Sequence, residues 1–181
     1  MKNSASGVTE QLLAHARHSL LQHHLPRVAR CLAMLSQKEM WWRAHPTSNS
    51  IGNLVLHLNG NVRQWIVSGL GGVPFERERD KEFAERDPIP RRKLLAQLQS
   101  TVREASRIIG ALAPRDLERE HTIQGFRVTG MQALLHVTEH FAFHTGQIIL
   151  VTKTKRRRDL GFTRLPSEKS NRRRRTFLPT L

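Results

Sequence analysis

Residues 136–148 read HVTEHFAFHTGQI, and this stretch decides the fold. His136, His140 and His144 stand at i, i+4 and i+8. On a helical wheel they fall within about 80° of one another, one ridge along a single helix. Leu134, Leu135, Val137, Phe141, Phe143, Ile148 and Ile149 surround the ridge and make this the most apolar helical segment of the chain. The pattern predicts a helix from about Thr129 to Thr154 that packs in a core. Imidazoles in such a setting need partners for both ring nitrogens.

Working outward, three further segments carry helical periodicity. Residues 9–36 place Leu12, Leu13, Ala16, Leu20, Leu21 and Leu25 at spacings of three and four, and Val28, Cys31, Leu32 and Leu35 resume the stripe. Pro26 lies inside this pattern and is expected to kink or divide it. A second helix is expected from Ser48 or Ser50, either of which can cap it, to the glycines at 69, 71 and 72. Its apolar residues from Ile51 to Ile66 lie within about 120° of arc. Residues 73–90 read as a charged connection with room for a helical turn. Residues 91–113 form a third helix stopped by Pro114. Residues 114–128 read as a loop, and no segment alternates as a strand of ordinary length does. Four amphipathic helices around one core predict an all-α, four-helix bundle.

The chain has 181 residues and a formal net charge of +15, from 30 Lys and Arg against 15 Asp and Glu. The charge is uneven. From Lys153 onward eleven basic residues face only Asp159 and Glu168, so nine of the fifteen charges belong to the last 29 residues. Pro166, Ser167, Ser170 and Asn171 interrupt any helical pattern there. The expected division is a bundle domain at 1–155 and a basic, disordered tail at 156–181. A hydrophobic fraction of 38% suffices for a core. The longest aliphatic run, Ile148 to Val151, is far short of the roughly 20 residues of a membrane span. The N-terminal MKNSASGVTEQLL has no apolar stretch of the secretory kind. A cytoplasmic protein is expected, with no membrane association. One cysteine, Cys31, excludes an internal disulfide and any multi-cysteine zinc site.

Two histidines one turn apart on a helix can reach one metal ion through bonds of about 2.0–2.1 Å. All three of the ridge cannot, since His136 and His144 are about 12 Å apart along a straight helix. An ion would therefore use one adjacent pair and a ligand from another helix, for which His57, the only histidine of the second helix, is the natural donor. His15, His18, His23 and His24 lie on a largely polar face of the first helix and are expected to be solvated. His45 and His121 are expected in turns.

The strings SNSIGNLVLHLNGNVRQW at 48–65, RERDKEF at 77–83 and HVTEHFAFHTGQI at 136–148 together resemble the DinB/YfiT-like superfamily, in an uncharacterised branch. The resemblance spans about residues 9–155. It implies a four-helix bundle, often dimeric, with a divalent ion on three histidines. Its His-x3-His motif, followed by one residue and Gly-Gln, falls on His140, His144, Gly146 and Gln147, and its second-helix ligand falls on His57. The resemblance thus selects His140 and His144, leaving His136 a supporting or core residue. Glu139, Asn61 and Gln147 are further candidates for the surroundings of the ion. Thr145 stands where many relatives carry arginine.

Three neutral nitrogen ligands suit zinc, nickel or iron(II) alike and leave a position open for water or substrate. By resemblance, the expected activity is a metal-dependent transferase or hydrolase acting on a small molecule, with a small cofactor thiol as a candidate partner; no catalytic residue is assigned. Arg63, Arg79 and Arg127 are weaker candidates to meet an anionic substrate, and Trp41, Trp42 and Trp65 to wall a pocket. The alternative is a non-enzymatic metal-binding or stress-related bundle whose basic tail attracts nucleic acid. Without interleaved aromatics or a helix-turn-helix, such attraction would be non-specific and salt-sensitive.

Overall fold

In a computed structural model, residues 4–163 are described. The remainder of the expected tail, 164–181, lies outside the described residues. Four long helical arms pack around one core, joined by short elements. Among the described residues, no helix is long and apolar enough to cross a membrane.

The first arm is continuous. It comprises α1 (Ser4–His18), a π-helical stretch (Ser19–His24) and α2 (Leu25–Met34). Pro26 falls in the first turn of α2, and Leu25 N–H bonds back to Leu20 O, five residues earlier. The wide π turn thus stands directly before the proline, and helical backbone runs on through the position where a kink or a division was expected. A short α3 (Gln37–Met40) follows, capped by Ser36.

Ser50 starts the second arm through a reciprocal capping box with Asn53. This arm is α4 (Ile51–Val62) followed by a second π-helical stretch, Arg63–Ser68. In the connection, α5 (Arg79–Ala84) lies against α4. The third arm is α6 (Arg91–Ala111).

The segment 114–128 departs from the expected loop. It holds α7 (Pro114–Glu118) and an antiparallel hairpin, β1 (Glu120–Ile123) with β2 (Phe126–Thr129), in register Ile123↔Phe126. Its two-residue turn places Gln124 at φ 55° and Gly125 at φ 82°, the paired left-handed conformations that match strand twist. His121 therefore sits in a strand. Thr129 then caps the fourth arm, α8 (Gly130–Arg156), which ends at Arg157 in the left-handed region.

Leu32, Leu58, Ile66, Leu98, Phe141 and Ile148 are fully buried where the arms meet. The chain does not leave the bundle at 155. Arg156 ends α8 and pairs with Glu39. Leu160 is 3% exposed in the same core, and Phe162 lies over the guanidinium of Arg30 at 5.0 Å.

Candidate metal centre

α4 and α8 lie side by side and bring His57, His140 and His144 together. One ligand nitrogen of each lies within 4.8 Å of the others. His57 and His144 are buried, and His140 is partly so. The rings meet edge to face, with centroids 4.9 Å apart for His57–His140, 5.0 Å for His57–His144 and 4.5 Å for His140–His144.

The surrounding hydrogen bonds decide which nitrogens point inward. Nδ1 of His57 lies 2.9 Å from Glu82 Oε2 and 3.1 Å from Arg77 Nη2; because the carboxylate can only accept, Nδ1 donates to it and Nε2 carries the lone pair. Nδ1 of His144 donates to Gln147 Oε1 at 2.7 Å and likewise frees Nε2. Nε2 of His140 lies 2.8 Å from Nε2 of His57, a separation that requires one shared proton or one shared cation. The donor set fits a divalent ion: three imidazoles, two with the outer nitrogen already engaged.

Glu82 is itself held. Arg77, whose side chain is only 3% exposed, grips both carboxylate oxygens, Nε to Oε1 at 2.7 Å and Nη2 to Oε2 at 2.8 Å. Arg77 Nη1 reaches Gln64 Oε1 at 3.0 Å. Burial alone would raise the Glu82 pKa, but the bonds from His57 and Arg77 outweigh it and hold the carboxyl below its ordinary value. Glycine at position 60 makes room for this pair, since a Cβ there would stand 1.9 Å from Glu82 Oε1. Asn53 anchors the same segment, its Nδ2 donating to the carbonyls of Glu82 at 2.8 Å and Glu85 at 3.1 Å. The strings at 48–65 and 77–83 are thus two halves of one contact.

Burial drives the ridge histidines toward the neutral form. His140 is lowered to about 3, by desolvation first and then by the neighbouring His144 and His57. His144 is lowered by burial against an opposing bond to Gln147. His136 is lowered by burial, opposed by the charge of Glu139.

His136 stands outside the cluster. It stacks on Trp65 at 4.0 Å and on His140 at 5.3 Å, and its Nε2 accepts from Asn61 Nδ2 at 3.2 Å. Glu139 is exposed on α8. The carboxylate that orients a cluster histidine is Glu82, which periodicity did not single out; its only signal was the RERDKEF string. The three arginines are engaged elsewhere: Arg63 with Glu104 at 3.6 Å, Arg127 with Glu120 at 2.6 Å, and Arg79 over Phe83. Phe83 lies 4.5 Å from the His57 ring, so Arg79 meets the centre only through it. Of the tryptophans, Trp65 borders the site. Trp41 packs on Gly52, and Trp42 lies under Lys155 at 3.4 Å. His24, expected to be solvated, is half-buried against Phe141 with Nδ1 unpartnered.

Fold and cluster together define a four-armed helical bundle with three histidines able to hold a metal ion. A family model described as "Protein of unknown function (DUF1572)" matches residues 8–169, and the chain belongs to that family. Among solved structures, a DinB-like protein from Bacillus cereus ATCC 10987 matches with a TM-score of 0.58 and 16% identity, covering 74% of this chain and 87% of that one. A DinB-like protein from Bacillus subtilis matches with a TM-score of 0.58 and 20% identity, covering 87% and 96%. At these identities the likeness is one of fold. No curated protein matches the chain.

Proposed function

We propose that the chain is a divalent-metal protein in which Nε2 of His57, His140 and His144 hold a zinc, nickel or iron(II) ion. The centre serves transfer or hydrolysis of a small molecule, with a small cofactor thiol as the favoured co-substrate. The observation that supports this reading is the pair of outer hydrogen bonds, Glu82 to His57 and Gln147 to His144, which turn two Nε2 lone pairs toward a third imidazole. A structural hydrogen bond between His57 and His140 would not need His144 turned the same way.

When bound, such an ion lowers the pKa of a coordinated water or holds a thiol as its thiolate. The protein's part is to keep protons at the two Nδ1 atoms and, by burial, to keep His140 and His144 neutral. Phe83 beside His57 and Phe143 beside His144, at 5.1 Å, flank the cluster with apolar surface.

Metal analysis of untagged, reconstituted protein tests the reading. Near-stoichiometric metal is expected in wild type. It should be lost in His57→Ala, His140→Ala and His144→Ala and retained in His136→Ala. Metal-free wild type overturns the assignment. Thermal-shift titration of the loaded protein with glutathione, mycothiol and bacillithiol tests the thiol, and no shift with any of them removes it.

A further inference from the structure

Beside the histidine cluster lies a corner assembled from α4, the π-helical stretch after it, the hairpin and α8. Asn61 follows His57 by one helical turn, so the two side chains leave the same face of α4. It is 3% exposed. Its Nδ2 donates to His136 Nε2 at 3.2 Å, which fixes the amide plane. The other half of the amide, Oδ1, is buried without any partner. An unpaired buried acceptor destabilises a fold unless something donates to it.

The corner is held from behind. Trp65 stacks on His136, and its indole N–H donates to Gln124 Oε1 at 3.2 Å. Gln124 is the non-glycine residue of the hairpin turn with positive φ, so a left-handed backbone at the tip accompanies this contact. Trp65 itself lies in the π-helical stretch Arg63–Ser68, and such wide turns recur at functional sites. The ring order Trp65, His136, His140 runs unbroken from this corner to the cluster.

Resting on the metal reading above, we infer that Asn61 Oδ1 accepts a hydrogen bond from the small molecule held at the cluster. The site then selects ligands carrying an N–H or O–H group next to the atom that meets the metal. His136 is the positioning residue. By accepting from Nδ2 it keeps the amide oxygen free for the ligand.

The test uses the full chain loaded with Co2+, whose visible absorption reports its ligands, and two small probes. Acetohydroxamate carries an N–H beside its coordinating oxygens, whereas azide carries no hydrogen. In Asn61→Leu, acetohydroxamate affinity is expected to fall about tenfold, the scale of one hydrogen bond, with azide within twofold of wild type. Unchanged affinity for both probes overturns the inference and assigns the acceptor to a structural water. Equal loss for both also overturns it, and assigns Asn61 to support of the histidines. Should Asn61→Leu not fold, Asn61→Ala carries the same expectation. Failure of wild type to take up Co2+ overturns the metal reading itself, and this inference with it.

Discussion

Glu82 Oε2 accepts a hydrogen bond at 2.9 Å from Nδ1 of His57, so a carboxylate from the connection between the second and third arms sets the proton on a histidine of α4. The contact is buried and braced by Arg77. A bonded outer nitrogen fixes ring orientation and raises ligand basicity, and losing such a partner typically lowers metal affinity 10–100-fold. Glu82→Gln keeps the size but removes the charge that binds Arg77 and polarises His57. A loss of affinity within about that range is expected in competition titrations against a chromophoric chelator. Unchanged affinity would reduce Glu82 to a tie between segments.

Gly60 tests the same arrangement from the opposite side. Alanine is the better helix former by about 1 kcal/mol, so on propensity alone Gly60→Ala should stabilise α4. The added Cβ would instead meet Glu82 Oε1 at 1.9 Å and Arg77 Nε at 2.8 Å. The carboxylate must move, and Nδ1 of His57 loses its acceptor. Gly60→Ala is expected to mimic Glu82→Gln in metal affinity. Denaturant midpoints measured on the same samples separate that effect from a general loss of stability. A variant that binds metal normally would show the carboxylate has another place to go.

The helical arms were legible because each presents an apolar stripe long enough to read at 3.6-residue spacing. The three histidines, in contrast, came together on a resemblance, since the wheel alone left the adjacent pair on α8 open. The hairpin was missed for a physical reason. Four-residue strands carry too little alternation, and the Gln124–Gly125 turn was the only signal available. Glu82 and Arg77 sat inside a run of alternating charges that reads as solvated surface. Only the fold shows that α5 presses that run onto α4, with Asn53 and Gly60 shaped to receive it. Pro26 reads as a kink or a division because proline removes a helical donor, and here a π-helical stretch precedes it and the helix continues.

His24 predicts a pH dependence of folding. Burial, and then the charges of His23 and Arg27, lower its pKa from 6.5 to about 4. Between those values the unfolded chain binds more protons than the folded one. The stability held above pH 6.5 is therefore lost as pH falls toward 4. His140, His144 and His136 are shifted in the same direction and add to the slope in the metal-free protein. His24→Leu removes one of these groups along with its unpartnered buried Nδ1. Denaturation of metal-free protein at pH 7.5 and pH 5 should show a smaller acid loss in the variant, by up to one proton in slope. An unchanged difference would mean that His24 is protonated alike in both states.

The C-terminal boundary yields the last prediction. The basic run, the helix-interrupting residues beyond it and the span of the resemblance placed the end of the domain at 155. Leu160 is nevertheless as buried as the core of the arms, and Phe162 sits against Arg30, with its carbonyl bonded by Arg27 at 3.3 Å. Truncating a buried leucine to alanine costs about 2–5 kcal/mol, and a site near a chain end can relax toward the lower figure. In a domain of this size about 2 kcal/mol lowers Tm by roughly 4–8 °C. Leu160→Ala is expected to show that drop. A chain ended after Arg157 should fall further, because it also loses Phe162. A chain ended after Thr163 keeps both contacts and should melt above the chain ended after Arg157, at equal metal content. If the two chains melted alike, packing at Leu160 would contribute nothing to the bundle, and the boundary at 155 would stand.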